Sequence, residues 1–129
     1  MDKGGIKMKK LIVPVLILFV IAFAGNVLGA ENEESAKSWQ KQATDTRAAV
    51  MKVYGELEKI DVSEQPDAKG LIDDAVAQLT EGDKYMKEGD EAMSKEEWEK
   101  ANYGYNMAWQ YYVKAATAGL NAKRILTGQ

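Results

Sequence analysis

WEKANYGYNMAWQYYVKAATAGLNAKRIL, residues 98–126, decides the fold. Within it Trp98, Ala101, Tyr105, Ala108, Tyr112, Ala115, Gly119, Ala122 and Leu126 alternate at spacings of three and four. That spacing keeps them on one side of an α-helix at a mean period of about 3.5 residues, the period of supercoiled helix packing. Alanine returns at every seventh position with a large residue or glycine between. Small residues opposite rings let helices approach closely and interdigitate.

The same spacing extends upstream. Ala68, Ile72, Ala75, Leu79, Gly82, Met86, Gly89 and Met93 form a second stripe. Ala36, Trp39, Ala43, Thr46, Val50, Val53, Leu57 and Ile60 form a third, in which only Thr46 breaks the apolar rule. No stretch shows sustained strand alternation. The divisions between the stripes carry helix punctuation. Pro66 suits a first helical turn, where a missing N–H leaves nothing unsatisfied. Ser94 followed by Glu97 reads as a capping box at the start of the last helix. Lys123 and Arg124 suit its negative dipole end. Short connections make successive helices antiparallel. The expectation is an all-α fold: an elongated antiparallel three-helix bundle with heptad-like packing and helices over 33–60, 66–93 and 95–126. Gly82 and Gly89 each lower helix propensity by about 1 kcal/mol relative to Ala, so they are expected to face the rings of the third helix. Gly82 and Tyr85, with Trp98, Ala101, Tyr105 and Ala108, have the spacings of a tetratricopeptide hairpin. The two halves lie about one heptad too far apart and no second copy occurs, so no family is assigned.

Ahead of the bundle, residues 1–30 read as an export signal. Lys3, Lys7, Lys9 and Lys10 precede an apolar run from Leu11 to Ala24, and Gly25, Asn26, Gly29 and Ala30 close it. Charge, apolar core and small exit residues in that order define a secretory signal peptide. The run is short against the roughly 20 apolar residues that span a bilayer, so cleavage after Gly29 or Ala30 is expected. The alternative is an uncleaved anchor in the inner membrane formed by residues 11–28. Both place the remainder outside the cytoplasm, in the periplasm or secreted.

The whole chain has a net charge of −3; residues 31–129 hold 13 basic and 19 acidic residues, a net −6. Phosphate backbones need clustered cations, so nucleic acid is not an expected partner. The chain has no cysteine and no histidine. Disulfides, zinc clusters and histidine-assisted nucleophiles are thereby excluded. Adjacent carboxylates at Asp73–Asp74, Asp90–Glu91 and Glu96–Glu97 diverge by about 100° on a helix and do not form an acid–base pair. Asp61–Asp67 has Pro66 where a calcium loop needs glycine. The expectation is a non-enzyme with no cofactor.

Two apolar groups of residues offer binding surfaces. Tyr103, Met107 and Tyr111 recur every four residues on the far side of the third helix, and Ile125 continues that side. Aromatic residues and methionine dominate interface energetics, so this stripe is the candidate face for another protein or a second copy. Trp39, Met86, Met93, Trp98, Tyr105 and Trp109 are the alternative, lining a pocket for a small apolar ligand between helices. The expected role is that of an exported adaptor, assembly component or periplasmic helper. A membrane enters only through the leader.

Overall fold

The structure is a computed structural model that describes residues 32–128, so the leader lies outside the described residues. Among the described residues there are three helices and no strand: α1 Glu33–Leu57, α2 Pro66–Ser94 and α3 Trp98–Thr127. At 1.5 Å per residue they are roughly 37–45 Å long.

Local chemistry sets the ends. Asn32 caps α1: its side chain accepts from the Ser35 N–H at 3.0 Å, and its own N–H donates to Ser35 Oγ at 2.9 Å. This reciprocal pair satisfies two otherwise orphaned donors. Pro66 stands at the start of α2 with Asp67 in the first turn. The α2–α3 junction corrects the expected capping box. Ser94 is the last residue of α2, its hydroxyl donates to the Glu91 carbonyl at 2.7 Å, and Glu97 caps α3 without a side-chain bond. The second helix runs through Ser94, and a Schellman closure consumes the residues that the box needs. Glu97 N–H bonds the Ala92 carbonyl at 2.9 Å and Glu96 N–H bonds Met93 at 3.1 Å. Such a closure puts one residue in the left-handed region, and here it is Glu96, with φ of 58°.

The helices are not equal partners. The third packs along both others, most extensively with α2, whereas α1 and α2 touch little. Gln40 and Arg47 of α1 meet Asp90 and Asp83 of α2, so these two helices run antiparallel. Asn102 Nδ2 reaches the Asn32 carbonyl at 3.2 Å, and Lys123 Nζ reaches Glu56 at 2.9 Å, which sets α1 parallel to α3. Two buried clusters run along this axis. One joins Ala36, Trp39, Ala92, Ala101 and Tyr105; the other joins Ala43, Val50, Ala108, Tyr112, Ala115 and Ala116. Thr46, the polar member of its stripe, is fully buried too.

Glycine sets the α2–α3 distance. A Cβ on Gly82 would stand 2.5 Å from the Tyr112 ring, and one on Gly89 would stand 2.7 Å from the Tyr105 ring. The backbones come close at Gly104, where a Cβ would lie 2.8 Å from Gly89 N and 2.9 Å from Gly89 Cα. Backbone does not yield as a side-chain tip does. We expect Gly104→Ala to destabilise by about 1–3 kcal/mol through overpacking, despite the helix propensity gained. Gly70→Ala meets nothing within 4 Å and should instead stabilise by up to about 1 kcal/mol. Urea midpoints that move in the same direction for both would refute the close approach. Glu96→Gly should raise the midpoint as well, because glycine removes a left-handed penalty of about 1 kcal/mol.

Candidate functional site

Two aromatic systems occupy opposite roles on α3. The inner one is a pair of clasps. Tyr105 lies over Gly89 and its hydroxyl donates to Asp90 at 2.6 Å, while Gln40 Nε2 donates to the same hydroxyl at 3.1 Å. Seven residues along each helix the arrangement returns. Tyr112 lies over Gly82 and donates to Asp83 at 2.6 Å. There Arg47 replaces Gln40 and grips Asp83 with two bonds, Nε at 2.7 Å and Nη2 at 3.0 Å. Both rings are fully buried, so each clasp ties three helices around a phenol.

The electrostatics identify these groups as structural. Burial, followed by the bond to Asp90 or Asp83, pushes both phenols far above their ordinary value of 10.0. A phenol held neutral in this way is no proton acceptor near neutral pH. The Arg47 hydrogen bond holds Asp83 below the ordinary 3.8, and Asp83 in turn raises Arg47.

The outer system is a row of three rings. Tyr85 of α2 stacks on Tyr111 with centroids 5.6 Å apart and planes 9° apart, and meets Tyr103 edge-on at 6.3 Å. Lys114 Nζ lies 4.9 Å over the free end of the row, on Tyr111. Tyr103 is 58% exposed, whereas Met107 and Tyr111 are half-buried. Ile125 is 41% exposed but sits 14 residues beyond Tyr111, about 21 Å along the helix, so it belongs to another part of the surface. Tyr85 is the residue that sequence reasoning missed as a member of this face. Its signal is the spacing from Gly82 and Gly89, which puts it beside the close-packed seam and opposite the Tyr103–Tyr111 stripe. Burial, then its two tyrosine neighbours, raises the Tyr85 phenol.

Of the six residues read as a pocket lining, five come together. Trp39 and Tyr105 belong to one buried cluster with Met86, Met93 and Trp109 packed against it, and Trp39 and Trp109 have centroids 5.6 Å apart. Trp98 stands apart and lines an open groove of about 700 Å³ beside Tyr103 at the hairpin end. A second groove of about 370 Å³ follows between α2 and α3 near Gln78, Val113 and Lys114. Among the described residues no group of acidic side chains is placed to hold a metal ion, and no helix is long and apolar enough to cross a membrane. Comparison with protein families, curated proteins and solved structures finds no match to this chain.

The clasps give the fold a pH window. Asp83 is depressed, so its contribution is present above 3.8 and is lost as pH falls through the lower folded value. The two phenols are raised, so their contribution is present below 10.0 and is lost as pH rises above it. Tyr105 and Tyr112 should therefore ionise only together with unfolding, as a cooperative step in tyrosinate absorbance. Six tyrosines titrating smoothly with helicity intact would contradict the clasps. Tyr112→Phe should lower stability by about 1 kcal/mol, since it leaves Asp83 one donor short.

Proposed function

We propose that this chain is an exported, non-enzymatic helical bundle that acts through protein contacts, as an adaptor, assembly component or envelope helper. The contact face is the outer side of α3, with Tyr103, Met107 and Tyr111 joined there by Tyr85 from α2. The observation that carries this reading is the division of aromatic residues: two tyrosines are consumed inside by clasps, while Tyr103 heads a row of rings on the outside at 58% exposure. An exposed, preorganised ring row with a half-buried methionine beside it has the composition that interface cores favour. The leader supplies the address, because Lys3–Lys10, the apolar run and the small exit residues have the order of a cleavable signal.

Two measurements test the two halves of this reading. Replacing Tyr103 and Tyr111 together by lysine should abolish association with the partner recovered from the native host, or dissociate a self-associated form, without loss of helicity. If neither association nor phenotype changes, the contact face is wrong. N-terminal analysis of the protein isolated from its host should find Ala30 or Glu31 first. A chain that keeps residues 11–28 and sediments with membranes would instead establish the anchored form.

A further inference from the structure

The groove at the hairpin end differs in charge from the rest of the ring row. It is lined by Trp98 and Tyr103 together with Glu88, Glu91 and Glu99. Glu97 and Lys100, also in the lining, pair with each other at 3.6 Å and cancel. Only Lys95 opposes the three remaining carboxylates, which leaves a net negative groove with aromatic walls. The opposite end of the row shows what such rings receive, since Lys114 is seated over Tyr111. Tyr103, the other terminal ring, is exposed and shares its groove with a net excess of carboxylates.

From this charge pattern we propose that the groove receives a basic amphipathic helix of a different protein, one lysine or arginine of which sits on Tyr103 among Glu88, Glu91 and Glu99. This inference rests on the docking face proposed above. The channel between two helices accepts the apolar stripe of a third, which is the helix-in-groove mode of recognition. The aromatic wall and the surrounding carboxylates then act on the same cation, through the ring quadrupole and through charge. A second copy of this chain is a poor occupant, because both grooves carry the same sign and residues 31–129 have a net charge of −6.

The test uses the protein as its host processes it. The probes are a fluorescent amphipathic helix of leucine and lysine and its leucine–glutamate counterpart. The lysine probe should bind at least about tenfold more tightly than the glutamate probe, and its affinity should fall as salt rises. Glu88→Gln, Glu91→Gln and Glu99→Gln combined should weaken the lysine probe about tenfold or more, with helicity unchanged. Glu33→Gln with Glu34→Gln, at the start of α1, should leave it bound. Equal binding of the two probes, or an unaffected triple variant, overturns the cationic assignment. The two readings separate on the native partner. Loss of that partner in the lysine-substituted Tyr103 and Tyr111 protein, but retention in the triple variant, keeps the docking face and removes the basic helix. A dimer in sedimentation that Tyr103→Lys dissociates makes a second copy the occupant and overturns the inference too.

Discussion

Everything in this bundle depends on how closely α2 and α3 approach, and two glycine-seated tyrosines set that distance. A ring as large as Tyr105 or Tyr112 fits between helices only where the facing residue has no side chain. Gly89 and Gly82 supply that space, and Gly104 against Gly89 brings the backbones together. Once seated, each phenol points toward the gap between α1 and α2, where Asp90 or Asp83 accepts its hydrogen bond. The hydroxyl is thereby satisfied at the end of a buried ring, as a buried polar group requires. Gln40 and Arg47 then draw in α1. Hydrophobic packing and polar closure are carried by the same two side chains.

This explains why a chain without cysteine holds three helices in register. The stripes alone specify faces and leave sliding along the axis weakly opposed. Polar partners at fixed positions specify the axial setting, as buried polar groups do in other helical assemblies. The α1 helix depends on them most, because it touches α2 little outside these bonds.

Much of the architecture was legible in the spacing of residues. The three stripes, Pro66 at a helix start, and Gly82 and Gly89 beneath the rings of α3 appear in the structure, but Ile60 falls beyond the end of α1 at Leu57 and the third helix begins at Trp98 where 95 was expected. What escaped the reading has a common cause: periodicity describes one face, and α3 buries two. Asn102, Gly104, Ala116 and Ala118 lie off the stripe yet are buried because α3 is flanked on both sides. The capping box failed because Ser94 and Glu97 suit the end of one helix as well as the start of the next, and local sequence does not say where α2 stops. The outer face was visible through Tyr103, Met107 and Tyr111, but its completion by Tyr85 depends on a pairing between helices. The expectation of an export signal over residues 1–30 rests on sequence alone, for residues 1–31 lie outside the described structure.

The turn over residues 95–97 has a further consequence. Gly–Asp recurs seven residues apart in α2, and tyrosine recurs seven apart in α3. A hairpin slipped by one heptad would thus place Tyr105 over Gly82 and Asp83, preserving half of its fastenings in the wrong phase. A slip of that size is about 10 Å, more than so short a link can absorb. The tight turn, with its awkward glutamate, acts as the phase-keeper of a repeating zip. A looser link there would admit a ladder that is locally correct and globally misaligned.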